Sequence, residues 1–395
     1  MKRFFSYSIL SFFLLLLPTG QASANNNDSI RLSLLTCAPG EEIYSLFGHT
    51  AIRYENSSQG IDVVFNYGLF SFNTPNFIFR FSLGETDYQL GATDYERFAA
   101  EYAFFGRSVW QQTLNLTDEE KTELIRLLQE NYRPENRVYR YNFFYDNCAT
   151  RPRDKIEESI AGKVIYPAEP QDGSLTFRDI VHQYCKGHPW ARFGIDLCIG
   201  SEADQPITQR QMMFAPFYLM DAFDGAQIKS DSIQRPLITA NELVVDATPE
   251  PDESDWMPTP LQCSLLLFIL TAAATIYGIR RRTGLWGIDL FLFGIAGIVG
   301  CVLAFLALFS QHPAVSSNFL LLVFHPGQLL FLPYIIYCVR KGKKCWYLTL
   351  NLIILTLFIV LFPVIPQRFD FAVVPLALVL LIRSASNLIV TSKKK

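Results

Sequence analysis

The sequence predicts an α+β domain outside the cytoplasm, followed by an all-α domain of five transmembrane helices. Three observations predict this architecture. The last third of the 395-residue chain contains five apolar stretches, each about as long as the ~20 residues that cross a bilayer. Residues 30–160 alternate strand patterns with helix starts, and the chain opens with a segment typical of export signals.

Charge divides the chain into two halves of opposite sign. The net charge of −3 is the balance of an acidic segment, 25–260, at −15, a basic segment, 261–395, at +10, and the first 24 residues at +2. Half of all residues are hydrophobic and the mean hydropathy is +0.18, which excludes a wholly soluble, a disordered or a fibrous protein. The larger half would repel phosphate, so the charge also argues against nucleic-acid binding.

The N-terminal segment, 1–24, has the three parts of a signal peptide. Lys2 and Arg3 are its charged start, Phe4–Leu17 is an apolar run too short to span a bilayer, and Ala22–Ala24 is an A-x-A cleavage site. We expect the mature chain to begin after this site, outside the cytoplasm.

The five later stretches predict the membrane topology. They are Leu261–Ile279, Leu285–Phe309, Phe319–Val339, Trp346–Phe362 and Phe371–Val390. Basic clusters follow the first, third and fifth stretches, whereas the other two connections hold one basic residue, Arg368. The positive-inside rule therefore places residue 260 outside, in agreement with the signal peptide. Helical spans favour the inner membrane, since outer-membrane proteins are barrels.

These signals predict four segments along the chain. They are a signal peptide (1–24), a periplasmic domain (25–235), a linker rich in proline and acidic residues (236–260) and a five-span membrane domain (261–395).

Local patterns predict the elements of the periplasmic domain. Strands His49–Glu55 and Ile61–Tyr67 flank a five-residue turn and predict a hairpin. Capping boxes at Thr93 and Thr117 predict two helices, and Leu124, Leu127 and Leu128 give the second its apolar stripe. Val138–Phe144 is predicted as a strand.

A further helix is expected to begin close to Cys148 and to run through Ile160. Pro152 is tolerated only in a first helical turn, which fixes this start. Backbone N–H groups at a helix N-terminus can lower a thiol pKa and hold an oxyanion, and Arg151 would add positive potential. This placement favours a nucleophile at Cys148.

The other periplasmic cysteines are expected to be structural. In an oxidising compartment each cysteine is by default half of a disulfide. Cys185 and Cys198 lie in one subregion and are predicted to pair, and a Cys37–Cys148 bridge is the alternative that would argue against a catalytic thiol.

A cysteine nucleophile needs a base, and the periplasmic domain offers three histidines. His49 begins a predicted strand, whose end can face a helix N-terminus packed on the same sheet, whereas His182 and His188 lie in a polar stretch. No CxxC or HExxH spacing is present, so neither a metal nor another cofactor is expected.

Polar residues in the membrane half allow two interpretations. His312, Asn318 and His325 surround the outer end of the third span and could grip a substrate or serve helix packing. Asp289 and Arg383 lie near cytoplasmic ends, where snorkelling would accommodate them.

Two motifs in the periplasmic domain resemble a known group of thiol enzymes. Gly48–Arg53 followed by Tyr145–Cys148 is similar to the circularly permuted NlpC-type papain-like fold, in which the histidine strand precedes the Asn-Cys helix. Lecithin:retinol acyltransferase-like enzymes share that fold. With Phe65–Gly68, Tyr145–Asp154, Pro189–Leu197 and the membrane helices included, the chain most resembles the Lnb family of Bacteroidota lipoprotein N-acyltransferases.

The resemblance implies roles for single residues. Cys148 would be the nucleophile and His49 its general base, with a third polar residue from the neighbouring strand that orients the histidine. The predicted hairpin places Asn66 or Tyr67 opposite His49, and of these two we choose Asn66. The backbone N–H of Cys148 would help to form the oxyanion hole, with Asn147 and Arg151 in support.

The implied reaction moves an acyl chain between two lipids. A membrane phospholipid would acylate the cysteine, and the α-amino group of a diacylated lipoprotein would then accept the chain. Two alternatives remain open, namely a membrane-tethered NlpC-type peptidoglycan peptidase or amidase and a non-catalytic envelope scaffold.

Overall fold

A computed structural model describes residues 29–392 apart from 72, 74, 169–173, 231–233 and 248–256. The predicted signal peptide and the last basic cluster, 393–395, lie outside these residues.

A seven-stranded antiparallel sheet forms the centre of the periplasmic domain, in the order β10-β5-β1-β2-β3-β4-β6. Its strands are β1 Ile30–Cys37, β2 His49–Asn56, β3 Ile61–Leu69, β4 Asp87–Asp94, β5 Val109–Leu114, β6 Val138–Arg140 and β10 Ile238–Val245. A small second sheet contains β7 Lys163–Ile165, β8 Gln227–Lys229 and β9 Gln234–Pro236. β2 and β3 pair as the predicted hairpin.

Helices cover both faces of the large sheet, so the α+β prediction is confirmed. The helices of this domain are α1 Phe77–Leu83, α2 Tyr95–Phe104, α3 Asp118–Tyr132, α4 Thr150–Ser159, α5 Phe177–Tyr184, α6 Pro189–Cys198, α7 Gln209–Met212 and α8 Pro216–Asp224. α3 and α4 pack on the face that carries Leu34 and Ile52, while α2 packs on the face that carries Leu35 and Ala51. The alternation of strand side chains supplies both faces.

Three local expectations need correction. Thr93 lies within β4 and does not cap α2, whose N-cap is Asp94 without a side-chain hydrogen bond. The capping box at Thr117 is present. The aromatic strand was predicted to span 138–144. The observed strand, β6, has only three residues, because its pairing with β4 ends at Arg140. The predicted linker begins too early, since β10 pairs with β5 and completes the sheet.

Four long helices and one broken helix form the described part of the membrane half, 257–392. The long helices are α9 Pro260–Arg281, α10 Trp286–Phe309, α13 Trp346–Leu361 and α14 Val373–Ser392. The third predicted span is a 3₁₀ turn at Phe319–Leu322 followed by α11 Pro326–Leu330 and α12 Leu332–Lys341, with a bend of 74° between its two parts. Pro333 lies beside this bend and has no N–H to continue the helical hydrogen bonds.

Asp289 and Arg383 do not snorkel towards the cytoplasm. Both are buried, and the guanidinium of Arg383 donates to the two carboxylate oxygens of Asp289 at 2.7 and 3.0 Å and to Thr275 at 3.0 Å. Mutual neutralisation between α10 and α14 replaces the water that snorkelling would provide.

The two halves are joined by specific polar contacts. Asn318 donates to the carbonyl of Leu197 at the end of α6, and Arg368 pairs with Asp179 and Asp204. The periplasmic domain therefore rests directly on the outer ends of the membrane helices.

Candidate active site

Gly48 sets the position at which β2 begins. Its φ is +77°, and a Cβ built there would lie 2.5 Å from the carbonyl oxygen of Cys37. Only glycine accepts both conditions, so Gly48 turns the chain tightly and places His49 at the first position of the strand.

His49 is oriented by a side chain of the next strand. The Cα partner of Asn66 is Ala51 and not His49, yet the Asn66 side chain reaches along the strand, and its Oδ1 lies 3.0 Å from Nε2 of His49. A carbonyl oxygen only accepts, so Nε2 carries the proton and Nδ1 keeps a free lone pair. This is the tautomer that a general base needs.

Asn147 fixes the start of the cysteine helix. Its Oδ1 accepts from the backbone amides of Ala149 and Thr150, and its Nδ2 donates to the carbonyls of Phe143 and Phe214. The side chain is buried and fully hydrogen-bonded. Asn147 therefore positions Cys148 and has no donor left for an oxyanion.

Cys148 precedes α4 by two residues and lies at the end of strands β2 and β3. The backbone amide of Thr50, the residue after His49, donates to the Cys148 sulfur, as does the amide of Cys148 itself. A Cβ built on Gly68 would lie 3.5 Å from the Cβ of Cys148. These amides are the groups that would hold negative charge on sulfur or on a reacting carbonyl.

Burial determines the protonation states of Cys148 and His49. Desolvation raises the pKa of Cys148 to about 11 against the two amide hydrogen bonds, and desolvation lowers the pKa of His49 to about 4. The expected low thiol pKa is thus absent, because loss of water outweighs the helix N-terminus. At neutral pH the site holds a thiol and a neutral imidazole.

Arg151 stabilises the turn that precedes Cys148. It makes two hydrogen bonds to Asp146, at 2.6 and 2.7 Å, and its guanidinium lies 3.6 Å from the ring centroid of Tyr139. Its charge is balanced by Asp146, so Arg151 holds the turn before Cys148 and stacks on Tyr139.

Tyr139 was not anticipated from the sequence. Its hydroxyl is buried and has no hydrogen-bond partner among the described residues. It lies 4.0 Å from the Gly68 Cβ position that is also 3.5 Å from the Cβ of Cys148. A buried hydroxyl without a partner is costly, so it marks a place where a ligand oxygen would fit. The only signal for Tyr139 in the sequence was its place in an aromatic strand pattern.

One cavity of about 1400 Å³ joins the two halves of the protein. His49 and Cys148 line its periplasmic part. Its other walls come from α1, α6, α10 and the connection after α10, and its α10 residues are Cys301, Val302, Phe305 and Leu306. The cavity is predominantly apolar, as a site for acyl chains should be.

Only one of the three polar residues expected at the membrane face lines this cavity. His312 does so, and its Nε2–H donates to the carbonyl of Phe81 at 2.7 Å. Asn318 is bound to α6, and His325 contacts Asn351 between helices. Asn318 and His325 are therefore outside the cavity lining, and helix packing occupies them.

The remaining cysteines and histidines form no second site. Cys185 and Cys198 are free thiols, so the predicted disulfide between them is wrong. Cys37 and Cys148 are free thiols as well and do not form the alternative bridge. Cys185 is buried in a core of aromatic and aliphatic side chains, whereas Cys198 lines the cavity, so the two serve different surroundings. His182 binds Asp196. No group of three metal-ligating side chains occurs among the described residues.

Comparison with known families gives two matches that together cover most of the chain. Residues 20–182 match the Lnb N-terminal periplasmic domain, and residues 252–395 match the Lnb transmembrane domain. No curated protein and no solved structure matched.

Proposed function

The chain belongs to the Lnb family, and from this premise we propose that it is a cysteine-dependent lipoprotein N-acyltransferase of the inner membrane. The acyl donor is a membrane phospholipid, and the acceptor is the α-amino group of a diacylglyceryl-cysteine lipoprotein. The observation that carries the proposal is the apolar cavity shared by Cys148, His49 and the second membrane span.

In the first step the Cys148 sulfur attacks the carbonyl carbon of a phospholipid ester. Before the attack, the thiol of Cys148 is protonated and the imidazole of His49 is neutral. Nδ1 of His49 therefore takes the thiol proton as the C–S bond forms. The ester C–O bond then breaks, His49 returns the proton to the leaving glycerol oxygen, and a lysophospholipid departs. The amides of Thr50 and Cys148 support the oxyanion.

In the second step the lipoprotein amine attacks the thioester. The new C–N bond forms, the C–S bond breaks, and the proton from nitrogen returns to sulfur through His49. An amine attacks a thioester more readily than an oxygen ester, so a thioester intermediate suits an amide product.

Cavity size supports binding of a diacylated lipid. A methylene group is similar in size to a water molecule, at about 30 Å³, so two chains of about sixteen carbons need about 1000 Å³. The cavity of about 1400 Å³ has room for the acyl chains of one such lipid.

The two alternatives are less well supported. A peptidoglycan peptidase would need a polar groove for a peptide, whereas this cavity is mostly apolar and is partly walled by a membrane helix. A scaffold with a Cys37–Cys148 bridge conflicts with the two free thiols.

Mass spectrometry of lipoprotein N-termini tests the proposal in cells. Cells that carry only the Cys148→Ser protein should accumulate diacylated lipoproteins with free amino groups. Cys198→Ser is the matched control, since Cys198 lines the same cavity from α6, and it should retain N-acylation. Full N-acylation with Cys148→Ser would refute the thiol mechanism.

A further inference from the structure

α1 is an apolar helix without a buried residue. Ile78 is 80% exposed and Phe79 57% exposed. The polar residue Arg80 turns away from this surface and pairs with Asp87 of the domain at 2.8 Å. Apolar side chains this exposed mark an interaction surface.

α1 is anchored to the outer end of the second membrane span. Phe79 packs against Phe305 of α10, with ring centroids 5.7 Å apart. The backbone amide of Gln311 donates to Leu83 at 2.8 Å, and His312 donates to Phe81 at 2.7 Å. The exposed side of α1 therefore continues the lipid-facing surface of a membrane helix.

The cavity also reaches the lipid-facing side of that span. Val302 lines the cavity and is 52% exposed. It precedes Phe309, the last residue of α10, by seven positions, which is about 10 Å along the helix. Half of a bilayer's hydrocarbon core is about 15 Å thick, so Val302 lies at the depth of the outer-leaflet acyl chains.

We propose that α1, with Ile43 and Tyr44 on the neighbouring loop, forms the rim of a lateral portal immersed in the outer leaflet. Phospholipid acyl chains enter the cavity through this portal, between α1 and α10. Both loop residues line the cavity and are more than half exposed. The nature of the donor rests on the proposed function, whereas the immersion of α1 does not.

Tryptophan quenching in nanodiscs tests the immersion. The variant Ile78→Trp should gain emission that phospholipids brominated on their acyl chains quench and that aqueous iodide does not. Val138→Trp, at an exposed position of β6, should show the reverse. Quenching of Ile78→Trp by iodide alone, or by neither reagent because a second protein covers the helix, would overturn the proposal.

A donor comparison tests entry through the portal. Thioester formation on Cys148 is measured with bilayer phospholipid and with a water-soluble short-chain ester. Ile78→Asp should lower the ratio of the bilayer rate to the soluble rate at least tenfold, whereas Val138→Asp should leave this ratio within twofold of the unsubstituted protein. An unchanged ratio for Ile78→Asp would overturn the portal. If the unsubstituted protein reacts with neither donor, the proposed function fails, while quenching still reports on α1.

Discussion

Nε2 of His49 and Oδ1 of Asn66 lie 3.0 Å apart, and this contact determines which nitrogen of the histidine can act as a base. It joins β2 to β3 at the end of the sheet where α4 begins. The orienting residue is one strand away from the histidine and is buried, so both its position and its rotamer are held by the sheet.

Asn66→Ala should lower kcat about 10- to 100-fold and leave KM within about twofold, because the imidazole loses the acceptor that fixes its tautomer. Asn66→Asp should restore part of the rate. Its carboxylate would also raise the pKa of His49, so the acid limb of the kcat profile should move to higher pH. The pH profile of kcat is measured on variants purified in detergent, with a short-chain donor. An unshifted profile for Asn66→Asp would contradict the contact between residue 66 and His49.

The thiol of Cys148 should react slowly with iodoacetamide at pH 7. With a pKa near 11, the thiolate fraction and the alkylation rate rise about tenfold per pH unit between pH 7 and 10. A preformed thiolate–imidazolium pair would give a flat rate over this range. Peptide mapping of the Cys148 adduct measures the rate apart from the other seven cysteines.

Tyr139→Phe should separate catalysis from stability. The hydroxyl has no partner in the part of the chain that the structure describes, so its removal should leave the free energy of unfolding unchanged or raise it by up to about 1 kcal/mol. If the hydroxyl donates to the reacting carbonyl, the rate should fall about 100-fold.

Tyr166→Phe is the matched control for Tyr139→Phe. The hydroxyl of Tyr166 donates to Glu157, so this variant should lose stability and keep its rate. A Tyr139→Phe protein with the unsubstituted rate would remove this hydroxyl from the mechanism.

Sequence patterns were sufficient for features that depend on local chemistry. The hairpin and the helix after Cys148 followed from turn residues and a proline constraint. The choice of His49 over His182 as the base rests on a strand position and stays a prediction. The contact between Asn66 and His49 was also anticipated, although through the wrong register, since Asn66 pairs with Ala51.

Other features depend on contacts between distant segments and could not be predicted from the sequence. β10 pairs with β5 across more than a hundred residues, and the Asp289–Arg383 pair joins two helices 94 residues apart. The high pKa of Cys148 follows from the side chains that exclude water around it. The cavity needs both halves of the chain, so neither half alone signals it.

The α10 wall of the cavity predicts an effect from a single membrane residue. Val302→Trp should reduce acylation by long-chain donors about tenfold and spare short-chain donors, because the indole fills space that the acyl chain would occupy. Val360→Trp is the matched control on α13, where the valine is 67% exposed and outside the cavity lining. If Val302→Trp and Val360→Trp gave equal acylation by long-chain donors, the acyl chain would not lie against Val302.

The same wall explains why the membrane half should do more than tether the domain. A chimera that carries residues 25–260 on one unrelated transmembrane helix keeps Cys148, His49 and Asn66 at the membrane surface. It lacks the α10 wall, the His312 connection that holds α1 and the contacts of Asn318 and Arg368 that seat the domain. Proximity alone therefore should not restore activity, and we expect less than about a tenth of the lipoprotein N-acylation of the intact protein.

In-cell complementation measures this outcome, with equal protein amounts verified by immunoblotting. Iodoacetamide labelling of Cys148 in the chimera, with the same pH dependence as in the intact protein, would show that the domain has folded. Full complementation would mean that the five spans only anchor the periplasmic domain. The alternative of a peptidase with a single membrane anchor would then be open again. Weak acylation by a correctly folded chimera would instead assign the acyl-chain site to the junction of the two halves, where Val302 and Cys148 line one cavity.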